Sequence, residues 1–309
     1  MRLATIDIGT NTTLLLVAEA SHGEVRVLAE RAEITRLGRG IGSDGGLGRT
    51  GIERTLAVLT DYVSVARAHS ATIHAIGTEG LRRAPNARDF LEPAAHILGA
   101  PVEVIDGDRE AALTFLAAER SFPHQSKGTC VVLDIGGGST EIIVARAGRV
   151  ELRRSLPIGS VRLTEKHIRN DPARPAEVAD VTHEIVQQLA DVPFPFPLPL
   201  PFPAAPITLI GTAGTVTTLA AMSLGLTSYD PARVHGHRLT RAALEEQIDR
   251  LRSSTQVARE NMAGLDPKRA DVILAGACIL QHIALAAHAP EILVSDRGIR
   301  WGLLFEKAS

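Results

Sequence analysis

A twelve-residue pattern occurs twice in this chain: residues 6–17 read IDIGTNTTLLLV and residues 133–144 read LDIGGGSTEIIV. Asp7 aligns with Asp134, Gly9 with Gly136, Thr13 with Thr140 and Val17 with Val144, always 127 positions apart in a chain of 309 residues. An offset near half the length predicts a duplicated unit, two similar domains each presenting an acidic, glycine-bearing turn. Two such turns facing each other would make a cleft able to grip a polyphosphate from both sides. Phosphoryl chemistry is the expectation that follows.

The length suits two domains, each with its own core. Hydrophobic residues make up 45% and charged residues 22%, as in ordinary globular proteins. The formal charge of −2 gives no general counterion-release drive towards nucleic acid, so no nucleic-acid partner is expected. Only Cys130 and Cys278 occur, which implies no disulfide framework and suits a reducing cytoplasm. The start, MRLATIDIG, reads as a strand rather than a signal peptide, and no apolar run of ~18 residues predicts a membrane span.

Residues 2–8, 13–19 and 25–30 predict a three-strand meander, followed by a helix over 52–68. A strand at 72–77, a helix near 86–98, a strand at 102–105 and a helix at 108–119 complete a first α/β unit. The polar stretch 121–129 reads as the connection to the second unit. There the pattern restarts, with strands at 130–135, 140–146, 149–155 and 207–210 and helices near 160–167, 174–191 and 215–223. Long helices are expected at about 240–253 and 267–287, then a strand at 291–294 and a last helix from Ile299. The run PFPFPLPLPFP, residues 193–203, forbids a helix interior or central strand and predicts an extended connector; a ligand for a proline-binding module is the alternative.

In the two turns, Gly9 and the run Gly136-Gly137-Gly138 let successive backbone N–H groups form an anion nest. Thr10, Asn11 and Thr13, with Ser139 and Thr140 in the second copy, add side-chain donors. Asp7 and Asp134 would repel phosphate unless a cation joined them, which implies Mg²⁺, a hard ion with oxygen ligands. A single such turn could equally be a hairpin whose Asp bonds its own backbone; two copies in register favour phosphate. Glu141 occupies the position where the first copy has Leu14, so the two halves are not equivalent. Glu110 fits either a water-positioning carboxylate or an acid complementing a helix dipole. Arg82 and Arg83 fit either a phosphate clamp or a solvated pair. Gly211, Thr212, Gly214 and Thr215 open a helix in LIGTAGTVTTLAA and form a candidate nucleotide or phosphate turn. His235 and His237 lack a third metal ligand at suitable spacing, and Arg269 and Asp271 are expected to pair at a helix start.

Taken together, these segments resemble the exopolyphosphatase/guanosine pentaphosphate phosphohydrolase (Ppx/GppA) family of the actin–hexokinase–chaperone ATPase superfamily. The resemblance spans nearly the whole chain, through IDIGTNTTLLLV, GTEGLRRAPNARDFL, VIDGDREA, VVLDIGGGSTE, SLPIGSVRLTE, GTAGTVTTLAA, GLDPKRADVILAGA and VSDRGIRWGLL. It implies a catalytic glutamate at Glu110, a second essential glutamate associated with metal and water at Glu141, and a phosphate-clamping arginine at Arg82. The implied fold is two ribonuclease H-like domains with an interdomain cleft, over residues 1–124 and 125–298, the last helix (299–309) returning to the first. A homodimer of the short form is also implied. Thr10 and Thr12 stand where serines are usual, Arg109 where acidic residues are common, and Trp301 where Glu is frequent.

The expected function is therefore Mg²⁺-dependent release of terminal phosphate from inorganic polyphosphate. The metal would be held by Asp7, Asp134 and Glu141. Phosphate would be held by Gly9, Thr10, Asn11, Arg82, Gly136, Gly137, Gly138, Ser139 and Thr140. The rivals are hydrolysis of guanosine pentaphosphate (pppGpp), a kinase of the same superfamily, and a non-catalytic polyphosphate or alarmone sensor.

Overall fold

The computed structural model describes residues 1–21, 24–39, 45–126, 128–194 and 207–309. The chain folds into two compact units, Met1–Ala117 with Ile299–Ser309, and Ala118–Gly298. The division falls within a helix, upstream of the polar stretch at 121–129. Most of the Pro/Phe run, residues 195–203, lies outside the described residues. Phe194 just before it is buried in the second unit's core.

The first unit opens with β1 (Arg2–Ile8), β2 (Thr13–Ser21) and β3 (Glu24–Glu33). It continues with α1 (Arg49–Ala68), β4 (Thr72–Gly77), α2 (Glu79–Arg83), α3 (Arg88–Leu98), β5 (Val102–Val104) and α4 (Gly107–Ser121). The strand order is β3-β2-β1-β4-β5: the first three form an antiparallel meander, and β4 and β5 join parallel to β1. Period-two alternation sorts the β1 side chains. Ala4, Ile6 and Ile8 pack with Leu59, Val63 and Phe90 of α1 and α3. Leu3 faces the other way, towards Ala117 of α4 and Trp301 and Leu304 of the terminal helix. Thr5, of the same parity, donates its hydroxyl to Arg300 O at 2.9 Å. Asp7 continues that parity at the carboxyl end of β1.

The second unit repeats the plan with β6 (Thr129–Ile135), β7 (Thr140–Arg146), β8 (Arg149–Leu156), α5 (Ser160–His167), α6 (Pro175–Leu189), β9 (Thr208–Thr212) and α7 (Ala213–Ser223). Then come α8 (Pro231–Val234), β10 (Arg238–Thr240), α9 (Arg241–Ser253), α10 (Gln256–Glu260), α11 (Ile273–Ala286) and β11 (Glu291–Val294); α12 (Ile299–Lys307) belongs to the first unit. The order β10-β11-β9-β6-β7-β8 contains the first unit's five-strand arrangement with β10 added at the edge. Val131, Leu133, Ile135, Ile142 and Val144 of one face enter a core shared with α5, α6, α7, α9 and α11. Asp134 and Glu141 have the opposite parity and face away from that core.

One long element departs from the sequence expectation. The helix expected over 267–287 is broken: Pro267–Arg269 is a 3-10 turn and α11 starts at Ile273. Asp266 caps the turn, accepting from Lys268 N at 2.9 Å, and Ala270 N and Val272 N bond three residues back instead of four. Arg82 and Arg83 lie on a short helix, α2, that the sequence expectation does not include.

Candidate active site

The repeated hairpins superimpose in register as well as in sequence. Ile8 pairs with Thr13 and Asp7 with Leu14; 127 positions on, Ile135 pairs with Thr140 and Asp134 with Glu141. Each turn closes in the same way, Gly9 N donating to Thr12 O at 3.0 Å and Gly136 N to Ser139 O at 3.0 Å.

The second turn is shaped by α5. Ser160 N donates to Gly136 O (3.0 Å), Val161 N and Arg162 N to Gly137 O (2.9 and 3.0 Å), and Arg162 Nε to Gly138 O (2.7 Å). Peptide planarity places the N–H of each following residue opposite its carbonyl. The N–H groups of Gly137, Gly138 and Ser139 are thus aimed away from α5, an arrangement that suits an anion nest. Thr140, whose hydroxyl donates to Ile158 O at 2.6 Å, fixes the segment leading into α5. In the first unit the carbonyls of Thr10 and Asn11 accept from Gly38 N (2.8 Å) and Arg36 N (2.9 Å), which turns the N–H groups of Asn11 and Thr12 outward in the same sense.

Beside each turn stands a buried carboxylate, one in the first unit and a pair in the second. In the first unit Asp7 sits between Leu14 and Ile76, buried, with its Oδ1 making no hydrogen bond. Burial pushes its pKa up from 3.8 to about 6, against the pull of the Arg300 guanidinium. In the second unit Ser155, Glu141, Asp134 and Thr212 stand side by side across β8, β7, β6 and β9. Ser155 Oγ donates to Glu141 Oε1 at 2.7 Å. Cross-strand neighbours lie ~5 Å apart at Cβ, where like charges destabilise a sheet. A buried carboxylate pair of this kind fits a hard cation that keeps several waters. So does the buried Thr212 Oγ1, which lacks a hydrogen-bond partner. Among the described residues no three His, Cys, Asp or Glu side chains gather as a metal cluster.

Glu110 lies in the first turn of α4 and is 4% exposed. Its backbone N–H donates to Asp106 O at 2.9 Å, and Asp106 Oδ1 caps Arg109 N at 2.8 Å. Arg82 reaches it from α2: Nη1 is 3.6 Å from Glu110 Oε2 and donates to Ile105 O at 2.7 Å. The structure thus brings Arg82 together with Glu110. Arg83 pairs instead with Glu79, at 3.1 Å.

The glycines of the turn at Gly211–Thr215 are set by close packing. A Cβ at Gly211 would meet Val216 and Ile292 at 2.9 and 3.0 Å, and one at Gly214 would meet the Arg269 guanidinium at 2.3 Å. Thr215 packs where a side chain on Gly276 of α11 would lie, within 2.6 Å of that Cβ position. Only Thr212 of the group joins the acidic row. His235 stacks on Phe122 at 4.9 Å and accepts from Asp296 N at 3.3 Å. Burial lowers its pKa to about 4, so it is a neutral packing residue. Sequence reasoning missed Ser155, Arg162 and Arg300, whose roles depend on strand register and helix packing.

Two units with the same meander-plus-parallel sheet, each with a glycine turn at the end of an Asp-bearing strand, define a protein of the actin-like ATPase architecture. The chain belongs to the Ppx/GppA phosphatase family, whose sequence pattern matches residues 16–309. It is 34% identical to exopolyphosphatase 2 of Mycobacterium tuberculosis over 99% of this chain and 98% of that protein. It is similar in structure to the Aquifex aeolicus PPX-GPPA enzyme (TM-score 0.82, 34% identity, 99% of each chain). An exopolyphosphatase from Cytophaga hutchinsonii superimposes with a TM-score of 0.89 at 25% identity, over 100% of this chain and 98% of that one.

Proposed function

We propose that the chain is an exopolyphosphatase, releasing the terminal phosphate of inorganic polyphosphate with Mg²⁺ as its divalent cation. The observation that carries this reading is the Asp134–Glu141 pair standing next to the Gly137–Ser139 nest, in a chain whose relatives bear that name. The nest N–H groups would bind oxygens of the terminal phosphoryl group, whose charge is spread over them in the transition state. Asp134 and Glu141, with Asp7 as a further candidate, would hold the cation. Mg²⁺, when bound, would neutralise phosphoryl charge. Glu110 orients the attacking water and takes its proton as the new P–O bond forms and the bond to the bridging oxygen breaks. Orthophosphate and a polyphosphate one unit shorter leave. Arg82, whose Nη1 lies 3.6 Å from Glu110 Oε2, helps to place that carboxylate and would offer its remaining guanidinium donors to phosphate.

Guanosine pentaphosphate presents the same terminal phosphoanhydride and is the second reading, supported by the family's double name. Phosphate release with Mg²⁺ should be measured on polyphosphates of graded length, pppGpp and ATP in parallel, without any acceptor. Preference for the polymers is expected, and preference for pppGpp would reverse the order of the two readings. Glu110→Gln should lower turnover by at least ~100-fold and leave substrate binding within a few-fold; near-normal turnover would remove Glu110 from the mechanism. A cytoplasmic homodimer completes the proposal. The buried, unpaired Cys130 and Cys278 suit a reducing compartment, and light scattering on the purified chain tests the dimer.

A further inference from the structure

We propose that the Thr212 hydroxyl is part of the cation site of Asp134 and Glu141, where it holds a water of the hydrated divalent ion. The proposal rests on the reading of those two carboxylates as a cation site and adds to it a residue of a different element, the end of β9. Thr212 stands at the N-cap of α7, with φ −131° and ψ −174°, yet its side chain makes no capping hydrogen bond. A threonine at that position ordinarily accepts from the first turn of its helix. Here Oγ1 is buried and has no hydrogen-bond partner, on a residue 2% exposed. Burying an unbonded hydroxyl is unfavourable, and an isosteric valine would fill the same space without that penalty.

The register points to what the hydroxyl serves. Thr212 is the direct partner of Asp134 across β9 and β6, on the opposite flank from Glu141. Position 298 lies beside both side chains. A Cβ on Gly298 would stand 3.3 Å from Thr212 Oγ1 and 3.9 Å from Asp134 Oδ2. Gly298 does not adopt the left-handed backbone that demands glycine. Gly298 therefore presents only a hydrogen to both oxygens, and a methyl group there would crowd Thr212 Oγ1. A water there would have Thr212, Asp134 and the cation as partners, the number an ordered water needs. Mg²⁺ retains several of its waters when bound by one or two carboxylates, so a hydroxyl that holds one of them tightens the site without replacing a ligand.

The test is Mn²⁺ binding to the full chain, followed by electron paramagnetic resonance with no phosphate compound present. Thr212→Val should weaken Mn²⁺ about 10-fold, Thr212→Ser should stay near wild type, and Gly298→Ala should weaken it as Val does by crowding Thr212 Oγ1. The Thr212→Val protein in chelator should melt at or above the wild-type temperature, which a merely structural hydroxyl would not allow. Wild-type Mn²⁺ affinity in Thr212→Val, or an equal loss in Thr212→Ser, overturns the proposal. Asp134→Asn is the control on the underlying reading: if it binds Mn²⁺ like wild type, the carboxylate site itself is wrong, whatever Thr212 does.

Discussion

At the scale of single residues, Asp7 is held in an environment that disfavours its charge. Its folded pKa of about 6 exceeds the ordinary 3.8, so the native state binds the proton more tightly than the unfolded chain does. Without metal, folding therefore carries no penalty from Asp7 below pH 4, an increasing one from there to pH 6, and the full one above. A shift of this size corresponds to about 3 kcal/mol. Asp7→Asn should raise the denaturant midpoint of the chelated protein at pH 7.5 and leave it unchanged at pH 4; equal midpoints at pH 7.5 would show that Asp7 is not strained by burial. Asp7, Asp134 and Glu141 were legible because the repeat sets them against each other. Ser155 was not. A β-bulge between Val144 and Ala145 shifts the β7–β8 register by one, so that Ser155, and not the preceding Arg154, lies opposite Glu141. Nothing in the local sequence announces that slip. Arg300 was hidden for a related reason, since its proximity to Asp7 depends on how α12 packs on β1.

Elements came through the sequence where one physical signal dominated. Strand alternation and turn residues located the meanders of both units, and apolar periodicity located α1, α9 and α12. The continuous helix over 267–287 failed because the Asp266 cap and Pro267 close a three-residue turn that hydrophobic periodicity does not register. The element that matters most to the site is α5, whose first N–H groups hold the carbonyls of the second glycine turn. Gly159 permits this approach: a Cβ there would lie 2.4 Å from Gly137 O. Gly159→Ala should push α5 from the turn, rotate the Gly137–Ser139 donors and lower kcat/KM for polyphosphate by at least ~100-fold. The substitution lies at the N-cap, outside the α5 interior, so far-ultraviolet circular dichroism should change little. Activity within a few-fold of wild type would mean that the turn keeps its shape without α5.

On the scale of the molecule, the duplication is a matter of topology and the function a matter of where it is broken. Both sheets carry the same five-strand plan, both hairpins share one register, and each second strand has its bulge at the corresponding place, Val17/Ala18 and Val144/Ala145. Such a framework was legible from a single repeated segment, because an identical hairpin requires an identical setting. The difference lies at one register position, where Asp7 faces Leu14 and Asp134 faces Glu141. Leu14 shows that this hairpin geometry accepts a leucine in that place. Glu141→Leu therefore makes the second half resemble the first, and it separates the two demands on the position. Chelated protein carrying the change should unfold at or above the wild-type temperature, since one of two adjacent buried carboxylates is gone. Phosphate release from polyphosphate should fall by at least ~100-fold, because the remaining carboxylate of the row cannot manage both cation and water. Turnover near wild type in a stably folded Glu141→Leu protein would show that the asymmetry between the repeats has no part in the chemistry.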